Sequence, residues 1–150
     1  MEFRRPSAVA ASLLAVLAVG CGSSTSESAD SFKGEPKAVA TAIDDLQDAS
    51  SRRDADEICS ELLSAALVEK IRASSKQSCD DAVKDSLRDV DAFKLEVVDN
   101  GIVVSGTTAT AKVRSEAGKD EQVDTLQLVK EAQRRGGKTE QRWKVSALAG

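Results

Sequence analysis

Few side chains in this 150-residue chain could do chemistry. It holds three cysteines, Cys21, Cys59 and Cys79, and neither histidine nor tyrosine. Without imidazole, the side chain most often used as a general base near neutral pH and as a metal ligand is missing. No two cysteines form a CxxC pair, so a dithiol redox centre or a zinc site has no ligand set. Neither a metal nor a cofactor is expected. Aspartate and glutamate remain as acids and bases, and arginine and lysine as holders of anions.

Cys21 stands at a distinctive place. Arg4 and Arg5 precede an apolar run over residues 8–19, interrupted only by Ser12, and Gly20 follows. That order is the grammar of an export signal over residues 1–20. A membrane-spanning helix needs about 20 apolar residues, and this run has 12. Leu17-Ala18-Val19-Gly20-Cys21 resembles a lipobox, where bacterial prolipoproteins are acylated on cysteine and cut just before it. The commonest form has Leu three residues before the cysteine, a place held here by Ala18. The resemblance implies diacylation and amide-linked acylation of Cys21, and attachment to the outer face of the cell membrane. More than one acyl chain would make that attachment stable. Residues 22–31 are small and polar with no apolar periodicity, so residues 21–33 read as a flexible tether.

Export would place Cys59 and Cys79 in an oxidising compartment, and lipidation of Cys21 leaves them only each other. Their pairing closes a loop of 20 residues, for roughly 3 kcal/mol on a chain-entropy basis. The pair reads as a staple.

Apolar residues make up 41% of the chain and charged ones 31%, as in an ordinary soluble domain. Removing residues 1–20 leaves 19 basic against 24 acidic side chains, a net of −5. Nucleic acid is therefore not an expected partner, since phosphate binding needs a basic footprint. Lys112, Arg114, Lys130, Arg142 and Lys144, with Trp143 among them, form a candidate surface for an anionic ligand, an envelope polymer or a partner protein. The plainer alternative is a solvated face alternating with core, in which Trp143 heads a buried series with Val145 and Ala147. Phe32 and Phe93 are expected to plug the places where tether meets domain and helix meets sheet.

The elements that would position these groups can be read from periodicity. From Glu35, Val39, Ala42, Ile43, Leu46 and Ala49 recur at helical spacing, with Asp44, Asp45 and Asp48 between them and Pro36 in the first turn. Asp54 with Glu57 predicts a capped helix carrying Ile58, Leu62 and Leu63, and Ser78 with Asp81 another, to about Asp89. Between them Leu67, Val68 and Ile71 share one side of a short helix over residues 65–72. After Asp91 the period becomes two. Asn100-Gly101 predicts a hairpin turn between Val97-Val98 and Ile102-Val103-Val104. Strands follow around Ala109, Ala111 and Val113, over residues 123–130, and through Trp143, Val145 and Ala147, joined by Gly-containing loops at residues 116–120 and 134–139. Helices first and antiparallel strands second indicate an α+β domain with helices on one sheet face. Charge is segregated as well: residues 21–99 hold 10 basic and 18 acidic side chains, residues 112–144 hold 9 and 6.

With Ala-Ile-Asp-Asp-Leu at 42–46, Arg-Arg-Asp-Ala-Asp-Glu-Ile-Cys at 52–59, Gly-Thr-Thr-Ala-Thr-Ala-Lys-Val at 106–113 and Leu-Val-Lys-Glu at 128–131 before Trp143-Lys144-Val145, the chain resembles small actinobacterial-type lipoproteins of the nuclear transport factor two-like superfamily, the ketosteroid-isomerase-like cone. The resemblance implies helices packed on a curved antiparallel sheet over residues 34–150, with an open cavity between them. The superfamily's enzymes rely on His, Tyr or an Asp–Arg motif. This chain lacks the first two residue types, and no position matches the third. No catalytic residue is assigned. The expectation is a lipid-anchored, non-catalytic envelope domain that binds a small ligand or a protein; the alternative is a small-molecule enzyme using carboxylates in the cavity.

Overall fold

The computed structural model describes residues 28–90, 93–117 and 119–149, with backbone alone for Phe93, Ala117 and Ala149. Cys21 and the export segment therefore lie outside the described residues, as does the side chain of Phe93.

The first helix, α1, spans Gly34–Arg52 and buries Val39, Ala40, Ile43 and Ala49 completely. It ends as Arg53 turns left-handed, at φ 57°, and the amides of Arg53 and Asp54 close on the carbonyls of Ser50 and Ala49. The expected caps are present. The Asp54 carboxylate accepts from Glu57 N at the start of α2, Ala55–Glu57, and Ser78 Oγ accepts from Asp81 N at the start of α4, Cys79–Arg88. Helix α3 runs over Ala65–Ser75, past the expected Arg72, because its polar last turn has no apolar position to mark it. A disulfide joins Cys59 to Cys79 across α3.

Between α2 and α3 the chain does not continue as the expected helix. Ile58–Leu62 form a π turn, closed by Leu63 N donating to Ile58 O at 3.0 Å. The wider turn absorbs an extra residue and ends the helix one position early. Leu63 is thus extended, making one parallel bridge to Val145, and Ser64 N donates to Val145 O at 2.8 Å.

Strands β1 Phe93–Ser105, β2 Thr108–Ala117, β3 Asp120–Arg135 and β4 Lys138–Ala149 form one antiparallel meander in the order β1-β2-β3-β4. The hairpin expected at Asn100-Gly101 does not form. Asn100 is left-handed at φ 56°, but Gly101 is not, and a type I′ turn needs both. Residues 98–101 instead bulge opposite Lys112 within a continuous β1, between the pairs Val97↔Val113 and Ile102↔Ala111. An added Cβ on Gly101 would stand 2.7 Å from Val98 O, so the bulge requires glycine there. The hairpin lies further on, at Gly106-Thr107, with Gly106 at φ 60°.

One sheet face, with Leu95, Val97, Ala109, Ala111, Val113, Leu126, Leu128, Trp143 and Val145, joins the buried faces of α1 and the π turn in a single core. Phe32 packs against it. The stretch read as a tether is docked from Ser28 on: Ser28–Ser31 form a 3-10 turn against α1.

Candidate functional site

The basic row read from the sequence is divided by the sheet. On β3 and β4, Lys130 pairs across strands with Trp143, and Glu131 with Arg142. Lys130 Nζ lies 5.1 Å from the Trp143 ring centroid and 2.8 Å from Glu35 Oε2, which also accepts from Trp143 Nε1 at 3.1 Å. One carboxylate in the first turn of α1 thus ties the helix to two neighbouring strands. Trp143 is buried and its indole N–H has a partner, which agrees with the core role rather than a ligand platform.

Arg142 forms the second tie. Its guanidinium lies 3.3 Å from Asp45 Oδ2 on α1 and 3.7 Å from Glu61 Oε2 in the π turn, and Arg135 reaches the same Glu61 oxygen at 3.8 Å. Lys144 is only 7% exposed and donates to Ser60 O at 3.2 Å, so its ammonium meets a carbonyl of the π turn. Lys130, Arg142 and Lys144 therefore bind the sheet to the helical layer. Lys112 and Arg114 stand apart on β2. Lys112 is exposed opposite the bulge, and Arg114 Nε lies 3.0 Å from Glu121 Oε1 in a pair too bent for a hydrogen bond.

Among the described residues, one concavity is lined in part by Arg142 and Trp143, and another by their strand neighbour Glu131. The smaller, about 260 Å³, lies between α1 and β4 and is lined by Thr41, Ala42, Asp45, Leu62, Arg142 and Trp143 among others. Burial raises the Asp45 carboxyl above its ordinary value, with Arg142 pulling the other way. Burial raises Asp44 also, opposed by the amides of Ala29 and Ser28. Glu35 is lowered by its hydrogen bonds to Lys130 and then Trp143. A carboxylate held near a guanidinium in a cleft could move a proton, provided a substrate displaced the ion pair.

The larger concavity, about 590 Å³, is a groove crossing β1, β2 and β3 to the start of α3. Val103, Ala66 and Val129 supply apolar surface, while Ser105, Thr108, Thr110, Gln127 and Ser146 supply neutral hydrogen-bonding groups. Among the described residues its one ionisable side chain is Glu131, whose Oε2 accepts from Ala65 N at 3.4 Å in the first turn of α3. No motif marked this groove in the sequence, because its residues come from five elements and mix buried positions, Ser64, Ala109 and Leu128, with ordinary surface ones. The partner carboxylates Glu35, Asp45 and Glu61 were equally silent as helix polar positions.

Among the described residues no group of three His, Cys, Asp or Glu comes together to hold a metal, and no helix is long and apolar enough to cross a membrane. Comparison with known proteins yields no likeness: no family model, no curated protein and no solved structure matches the chain.

Proposed function

We propose that this chain is a bacterial lipoprotein, exported and held on the outer face of the cell membrane by acyl chains on Cys21, whose α+β domain binds an uncharged ligand or a protein segment without catalysis. The nuclear transport factor two-like cone belongs to the same proposal, supported by helices-first order and a sheet packed by helices on one face.

The groove carries the binding reading. Its size lies within the range of about 300–1,000 Å³ usual for small-molecule sites, at about 590 Å³. Among the described residues its lining offers neutral donors and acceptors, with one carboxylate, engaged by the α3 amide, and no acid–base pair. A photocrosslinker at Thr110 should trap the occupant in the cell envelope, whereas one at Lys84 on α4 should not. Equal labelling at the two positions would remove the groove as the binding site. Anchoring is tested separately: Cys21→Ser should move the protein from the membrane to the soluble exported fraction, and unchanged membrane association would refute lipidation.

A second reading is favoured by one observation, the raised Asp45 beside Arg142 in the smaller cleft. On that reading the chain is a small-molecule enzyme with Asp45 as acid or base. Asp45 and Arg142 satisfy each other across the helix–sheet seam, so we place it second. Turnover of any small electrophile that is abolished by Asp45→Asn, with the fold intact, would reverse that order.

A further inference from the structure

Among the described residues, the outer edge of β1 is capped at Leu95 and Val97 by side chains rather than by another strand. Val97 N donates to Ser28 Oγ at 3.1 Å, and Leu95 N donates to Gln47 Oε1 on α1. Ser28 is held there by its own surroundings. The Asp44 carboxylate accepts from Ala29 N at 2.9 Å and Ser28 N at 3.3 Å, while Ala29 and Phe32 pack on the core. Residues 28–32 therefore act as a strap whose hydroxyl, together with Gln47, occupies the donors that a neighbouring strand would otherwise take.

The strand beneath this strap is complementary to itself. Lys94 and Glu96 flank Leu95, on the face opposite the core. If two β1 edges met antiparallel about Leu95, Lys94 of each would stand opposite Glu96 of the other, giving two cross-strand ion pairs. Val97 would then stand opposite Phe93, and the amides of Leu95 and Val97 would point at the partner's carbonyls. A two-fold contact of this kind closes on itself and adds no further copies.

We propose that Ser28 in the strap of residues 28–32 and Gln47 on α1 together cap a strand-pairing edge, and that freeing both donors lets two copies of this chain join through residues 93–97 of β1. The inference is independent of the ligand-binding reading, since groove and edge share no residue.

Ser28→Ala combined with Gln47→Ala, in the full chain, removes both caps. Amide exchange at Val97 and Leu95 should accelerate by about tenfold or more, while Val113 on β2 stays protected. Light scattering should then show a concentration-dependent dimer that the parent chain does not form. Adding Lys94→Glu should abolish the dimer by placing like charges opposite one another. Adding Glu96→Lys to that variant should restore it by exchanging the pair. Asp44→Asn combined with Gln47→Ala, which loosens the strap and removes the second cap, gives the same reading at lower dimer fraction if the Ser28→Ala variant fails to fold. A chain that exposes both amides yet stays monomeric overturns the proposal. So does a dimer indifferent to the charge reversal and exchange.

Discussion

Trp143 illustrates how one residue's surroundings decide between readings of the same side chain. As a half-exposed aromatic among cations it would serve as a platform. Instead it is buried, cross-strand from Lys130, with its N–H on Glu35. Trp143→Ala should cost roughly 3–5 kcal/mol in denaturant unfolding, the range for a large buried aromatic, and a loss below about 1 kcal/mol would mean the site is not core. The carboxylates set opposing pH trends. Asp44 and Asp45 have raised folded values, so they bind a proton more tightly folded than unfolded. What they contribute to stability is full below the ordinary aspartate value of 3.8 and is lost as pH rises through the raised value. Glu35 is lowered, so its contribution is present above its ordinary 4.5 and is lost as pH falls through the lowered value. Asp45→Asn should therefore gain on the parent chain as pH rises from about 3.5 to 6, measured by thermal unfolding at each pH. A gap moving against the variant over that window would show that attraction to Arg142 outweighs burial.

At the scale of elements, what the sequence made legible was local and what it concealed was not. Asp54 and Ser78 cap their helices because capping is settled within four residues, and Ala109, Ala111 and Val113 alternate because one sheet face is buried. The Asn100-Gly101 hairpin failed because the same dipeptide also suits a bulge, and only the distant pairing with β2 decides which forms. Leu63 likewise left its helix for Val145, some eighty positions away, which no window reveals. The charged seam shows the same division. Its basic half stood out as a row on the strands, while Glu35, Asp45 and Glu61 became its partners only when α1 and the π turn packed on the sheet. The bulge makes a prediction of its own. Gly101→Ala forces a Cβ against Val98 O and Lys112, so unfolding should show a loss of about 1–3 kcal/mol, with exchange accelerated at residues near the bulge before the rest of the sheet. Gly106→Ala, in open space and strained only by its positive φ, should cost less.

Across the whole molecule, helices and sheet share one core, with α1, the π turn and all four strands contributing buried residues to it. Among the described residues neither layer has a second core with which to persist alone, and the Glu35, Asp45 and Glu61 ion pairs span the same boundary. The disulfide joins the π turn to α4 within the helical layer, so reducing it lowers the stability of that layer and, through the shared core, of the sheet. A small domain organised in this way should unfold in one step. The chain's single tryptophan sits on β4 at the centre of the boundary, so its fluorescence reports the contact between layers, while far-UV circular dichroism reports the elements themselves. The two signals should trace one transition in guanidinium, and Cys59→Ser with Cys79→Ser should shift both together, by about 3 kcal/mol. Fluorescence lost at lower denaturant than ellipticity would mean that the layers separate before they melt, with each holding structure without the other.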